Sequence, residues 1–189
     1  MPKFEEYKQP EIKKELSPEL KERVKEIENI HHGAIPRAEI ILVLLGQKPA
    51  TELDIFKWND PPDKIMNVLK SVGLSTAKLE NIEALNENWL ARIVIAKKQE
   101  DLAKIEKLDP KKDHAEFGKM MGYPESAIAA FGKKEKILPN ENYPSMKGII
   151  FDFKLSKDNW QEEINVLKRW SRVIELVAPD IYKELNVKK

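Results

Sequence analysis

The chain has 189 residues, of which 41 % are hydrophobic, enough to build a core within a single domain. Lys and Arg number 33 against 32 Asp and Glu, a net charge of +1, without the basic excess by which a dedicated nucleic-acid binder neutralises phosphates. Cysteine is absent, which excludes disulfides, Cys-based zinc sites, iron–sulfur clusters and a thiol nucleophile.

Residues 1–15 read as a flexible N-terminal arm, and 16–189 as one globular domain. The opening MPKFEEYKQPEIKKEL lacks the apolar stretch of a secretory signal. The longest aliphatic run, IILVLL at 40–45, is far shorter than the roughly 20 residues of a membrane span. The expectation is a soluble, cytoplasmic protein.

Ser17-Pro18 predicts an N-cap followed by Pro at the first helical position, with Leu20, Val24 and Ile27 on one face. His31-His32-Gly33 ends that helix. Neighbouring helical residues point about 100° apart, so the two imidazoles do not face one ion, and a position near the C-terminal dipole accounts for them. Pro36 opens a second helix, aliphatic all round and therefore central, with Gly46 at its left-handed end. GQKPATEL (46–53) lacks the GxxxxGK[ST] order of a phosphate loop and reads as helix termination and a turn. Asp60-Pro61-Pro62 begins a third helix, with Ile65, Val68, Leu69 and Val72 inward and Gly73 stopping it.

LARIVIA (90–96) is β-branched and apolar on both faces, the pattern of a buried strand. Residues 77–85 fit either its hairpin partner or a short helix. A helix over 98–108 precedes Asp109-Pro110, and another spans 113–121. Gly122 can take the positive φ that ends it, and Pro124 suits N1 of the next. A Lys-rich loop covers 132–147. IIFDFKL (149–155) alternates and predicts a second strand, with Asp152 on its outer face; covered by a helix, that carboxylate would be a buried acid. Ser156 reads as the cap of the last long helix. That helix carries two apolar stripes, one through Trp160, Ile164, Leu167 and Ile174, the other through Val166, Trp170, Val173 and Val177. Pro179 restarts a short terminal helix. The sum is an α+β, predominantly α-helical single domain with a small two- or three-stranded antiparallel sheet.

FGKMMGYPESAIAAF (117–131) reads first as a packed helical corner. Gly118, Gly122, Ala127 and Ala130 allow close backbone approach, and Tyr123, Ile128 and Phe131 plug the joint. The stretch also resembles the hallmark of a poorly characterised family of unknown function, whose pattern is a Gly, a hydrophobic pair, Gly-Tyr-Pro-x-Cys-Cys and a Phe. Gly46, Lys48, Pro49 and Ala50 after an apolar helix, RIVIA, and Ala178-Pro179 after the last helix extend the likeness over roughly residues 33–185. Here GYPESA puts Ser126 and Ala127 where that pattern has cysteines, and FKLSKDNW before the last helix has none. The resemblance therefore implies a cysteine-free variant without thiolate metal binding or redox work.

The catalytic candidates are His114 as a general base, with Tyr123, Glu116 and Ser126 near the same corner and Asp113 beside them. On a helix, His114 shares its face with Phe117 and Gly118, and not with Asp113 or Glu116. No third group orients it. No cofactor and no metal site is expected. The leading expectation is a non-catalytic binding or interaction domain with a protein or small-molecule partner. The alternatives are a metal-independent, hydrolase-like acid/base enzyme at the Gly-Tyr-Pro corner and a nucleic-acid-associated accessory protein. The last is disfavoured because segment 97–136 sets ten Lys against eight acids, a net of +2.

Overall fold

The computed structural model describes residues 16–79, 86–109 and 112–186; the proposed arm, 1–15, lies outside them. Helix α1 (Pro18–Glu28) begins as predicted, with Ser17 Oγ accepting from the Leu20 N–H at 3.2 Å. Helix α2 (Ala34–Leu44) runs through the centre, with Ile40, Ile41, Leu42 and Val43 fully buried. Burial on all sides is why it carries no polar stripe.

Gly46, at φ +70°, ends the second helical run within the turn expected there. Strand β1 (Ala50–Phe56) starts four residues later, so the second half of GQKPATEL is strand and not turn. Its sequence ATELDIF alternates: Thr51, Leu53 and Ile55 are buried, while Glu52, Asp54 and Phe56 are half-buried on the other face. Helix α3 (Pro62–Ser71) follows, then β2 (Ser75–Lys78) and β3 (Trp89–Ala96). The sheet is antiparallel in the order β1-β3-β2, with Leu53 opposite Ile93, Asp54 opposite Arg92 and Thr76 opposite Ile95. Of the ambiguous 77–85, residues 77 and 78 belong to β2, and 80–85 lie outside the described residues.

The central strand β3 is buried on both faces. Ile93 and Ile95 join the main core with α1, α2, α3 and the C-terminal helices. Val94 and Ala96 face a smaller cluster with Leu102 and Ile105 of α4 (Gln99–Ile105) and Met121. Helices α5 (His114–Met120) and α6 (Glu125–Phe131) meet at Gly122, φ +76°, with Pro124 at the N-cap instead of N1.

Residues 149–155 depart from expectation. The alternation holds from Phe151, with Phe151 and Leu155 buried and Asp152 and Lys154 exposed, but Ile149 and Ile150 are both buried and the segment is not in the sheet. Its backbone groups find other partners. Ile150 N–H donates to Ser171 Oγ at 3.0 Å and Leu155 N–H to the Tyr143 hydroxyl at 3.1 Å. The Leu155 carbonyl accepts from Leu138 N–H at 2.8 Å, beside an isolated bridge between Ile137 and Ser156. Inward side chains thus create the two-residue period without a ladder. Phe151 and Phe153 pack edge-on against Trp170 of α7 (Trp160–Val177), at centroid distances of 6.0 and 6.3 Å. Asn159, and not Ser156, is the N-cap of α7; Ser156 stands one turn earlier. Helix α8 (Pro179–Asn186) closes the chain.

The described residues form one α+β domain of eight helices and a three-stranded antiparallel sheet. Among them no helix is long and apolar enough to cross a membrane.

Candidate functional site

The Gly-Tyr-Pro corner is held by contacts that only glycine permits. A Cβ on Gly118 would come within 2.9 Å of Ile128 Cγ1, so α5 and α6 touch through that position. Gly122 combines its positive φ with an approach to the 48–49 backbone, where an added Cβ would lie 3.1 Å from Pro49 Cδ and 3.6 Å from Lys48 Cα. The corner therefore seats against the turn between α2 and β1. Tyr123, the next residue, packs against both hydrophobic clusters and stacks at a tilt on Phe153, 5.6 Å away.

Beside this joint lies a cleft of roughly 400 Å³. Its floor is apolar: Phe117 and Gly118 come from α5, Ala127, Ile128 and Phe131 from α6, and Phe153 from the extended segment. Four polar side chains join them, His114, Tyr123, Asp152 and Lys154. Phe131 is 62 % exposed at the edge, an unusual position for a phenylalanine whose helix neighbours are buried. Burial, and then the carboxylates of Glu39 and Glu52, push the Tyr123 phenol up to about 12, so it stays a neutral hydrogen-bonding group.

Two of the four candidates thus share the cleft and two do not. His114 and Tyr123 line it, on the helix face predicted for His114, but no hydrogen bond joins them. Glu116 is exposed and pairs with Lys119 at 2.8 Å. Ser126 turns the other way and donates to Glu163 Oε1 at 2.6 Å. Asp113 accepts from the Asp109 N–H at 3.0 Å, near the start of α5. Asp152 is exposed, so the buried-acid alternative falls, yet it reaches the cleft rim.

The role of a second polar group escaped sequence reasoning. Lys48 is only 1 % exposed, and its ammonium donates to Glu39 Oε1 at 3.0 Å. It also sits over the rings of Trp170 and Tyr123, 5.1 and 5.6 Å from their centroids. Thr51 Oγ1 donates to the other Glu39 oxygen at 2.9 Å. Tyr123 therefore has the cleft on one side and a desolvated ammonium near its ring. Nothing in the spacing of GQKPATEL distinguishes this lysine from a surface one; only its place in the fold does.

The histidine pair also resolves. His32 Nδ1 accepts from the Gly33 N–H at 2.8 Å, which leaves Nε2 to carry the proton and donate to the Asp54 carbonyl at 2.8 Å. His32 thus ties the start of α2 to β1. Among the described residues no group of three or more His, Cys, Asp or Glu side chains is arranged to hold a metal ion.

Four lysines of the 97–136 segment are paired with acids. Lys98 pairs with Glu100, Lys104 with Asp101, Lys112 with Asp109 and Lys119 with Glu116. No family model, curated protein or solved structure matches the chain.

Proposed function

We propose that this chain is a non-catalytic binding domain whose ligand occupies the cleft beside the Gly-Tyr-Pro corner. The observation that carries this reading is the composition of one concavity: an apolar, ring-rich floor with only four polar groups at its walls. A volume of roughly 400 Å³ falls within the span of small-molecule sites, about 300–1,000 Å³. Turnover would need a nucleophile or a relay, and the groups proposed for one are occupied elsewhere: Ser126 is fixed on Glu163 and Glu116 on Lys119. Cytoplasmic residence and descent from the Gly-Tyr-Pro-x-Cys-Cys family are parts of the same proposal. The absence of cysteine supports the first and the likeness at residues 117–131 the second.

A second reading has one observation behind it. His114 and Tyr123 line the same cleft, so a ligand could bring an imidazole and a neutral phenol to bear on one atom.

The test is a ligand-observed NMR screen of a small fragment library against the full chain, repeated on Phe131→Asp. Phe131 is exposed, so the substitution leaves the core intact. Binding of apolar fragments by the wild type and its loss in the variant is the expected result. No binding, or binding indifferent to Phe131→Asp, rejects the reading. Chemical conversion of a bound fragment that stops in His114→Ala would favour the enzyme instead.

A further inference from the structure

Asp152 and Lys154 stand two residues apart on an extended chain, so their side chains leave on the same side, with Cα atoms about 7 Å apart. Phe153 between them turns inward against Trp170 and Tyr123. Both charges line the cleft, and among the described residues neither forms an ion pair or hydrogen bond. Opposite charges elsewhere in the chain behave differently: Lys98 and Glu100, also two residues apart, close to 3.4 Å. The cleft wall therefore presents one open anion and one open cation side by side above an apolar floor.

Building on the binding reading above, we propose that the cleft takes a zwitterion with an aromatic or large aliphatic body, of the class of the apolar α-amino acids. Its ammonium meets Asp152, its carboxylate meets Lys154, and its side chain lies among Phe117, Phe131 and Phe153.

Charge complementarity selects this class over its neighbours. A ligand with only a carboxylate gains Lys154 but approaches Asp152, and one with only an amine gains Asp152 but approaches Lys154. Each of those meets a like charge, and specificity arises as much from that penalty as from the new attraction. A neutral apolar molecule meets no penalty but gains neither pair.

The test is a titration of the full chain at pH 8, above the range in which imidazoles ordinarily charge. The probes are L-phenylalanine, phenethylamine, 3-phenylpropionate and benzyl alcohol. L-Phenylalanine is expected to bind tightest, with each deleted charge costing about two- to fivefold, the yield of one exposed pair. Asp152→Asn should weaken L-phenylalanine and strengthen 3-phenylpropionate; Lys154→Gln should weaken L-phenylalanine and strengthen phenethylamine. Both residues are exposed, so the fold is not at stake. If a singly charged or neutral probe binds as well as L-phenylalanine, or the variants leave the ranking unaltered, the ligand class is wrong while cleft binding stands. If neither these probes nor the fragment screen detects binding, both fail together.

Discussion

The ammonium of Lys48 donates to Glu39 at 3.0 Å, but the two partners are unequally placed: the lysine side chain is 1 % exposed and the glutamate 23 %. That asymmetry predicts unequal costs. Removing the carboxylate strands a desolvated cation between two aromatic rings, whereas removing the ammonium leaves a carboxylate that still accepts from Thr51 and reaches water. Glu39→Ala should therefore destabilise the fold by about 3 kcal/mol, and Lys48→Met, which keeps the apolar stem, by about 1 kcal/mol. Urea denaturation of both variants checks the order; equal losses would mean the pair is not buried as described.

Glu163 is 0 % exposed, and among the described residues no basic side chain pairs with it. Its carboxyl oxygens are met by hydroxyl and amide donors instead: Ser126 Oγ and Ser156 Oγ at 2.6 Å, and Ser156 N–H at 2.7 Å. Ser126 therefore belongs to the joint between α6 and α7. Ser126→Ala should cost about 1–2 kcal/mol of stability without changing ligand binding in the cleft, since it removes one donor from a buried acceptor. Glu163→Ala leaves two hydroxyls without their acceptor and should cost about 3 kcal/mol. Thermal denaturation beside a binding titration separates this from a role for Ser126 as a hydroxyl donor to ligand, which would lower affinity while sparing stability.

Local signals in the sequence translated well where they depended on single residues. Gly46, Gly73 and Gly122 each take a positive φ at the break expected of them, and Ser17 caps the first helix. LARIVIA was readable as a doubly buried strand because a β-branched, apolar run has few other uses. Strand β1 was readable too, through the alternation in TELDIF, but Gly46, Lys48 and Pro49 in front of it are turn residues and drew the eye to a loop. Residues 149–155 show the opposite failure. A two-residue period reports which side chains point inward, not whether a neighbouring strand exists, and here Ser171 and Tyr143 receive the amide hydrogens. His114, Phe117 and Gly118 on one helix face could be predicted. That Asp152 and Lys154 close the other wall could not, because the segment is brought to the corner by the tertiary packing of Phe153 on Tyr123 and Trp170.

His32 provides a pH-dependent element. Burial, opposed by its hydrogen bond to the Asp54 carbonyl, lowers its pKa below the ordinary 6.5. Since the unfolded chain binds the proton more readily, stability is complete above pH 6.5 and falls as the pH drops through 6.5 towards the folded value. Protonation occurs at Nδ1, the atom that accepts from Gly33, so that bond is lost as well. His32→Gln should be less stable at pH 8 and show a flatter decline between pH 6.5 and 5. Denaturation midpoints across that range, compared between wild type and variant, test this; parallel profiles would remove His32 from the account.

Gly122 allows the motif itself to be tested apart from its resemblance to anything else. Its φ of +76° disfavours any side chain, at about 1–2 kcal/mol for a non-glycine residue. A second cost comes from position, because the added Cβ would crowd Pro49 Cδ at 3.1 Å. Pro49 is a ring with little freedom to yield, and it adjoins Lys48, so the displacement passes to the buried ammonium and to the Tyr123 ring beside it. Gly122→Ala should therefore cost more than the backbone term alone, about 2–3 kcal/mol, and should also weaken ligand binding by shifting Tyr123 in the cleft wall. Gly73, at φ +86°, is the control: an added Cβ there meets only the end of the Arg23 side chain, at 3.4 Å. Gly73→Ala should show the backbone cost alone, leaving the cleft unaffected. Equal losses in the two variants, by urea denaturation, would mean that the corner does not depend on its contact with the 48–49 turn.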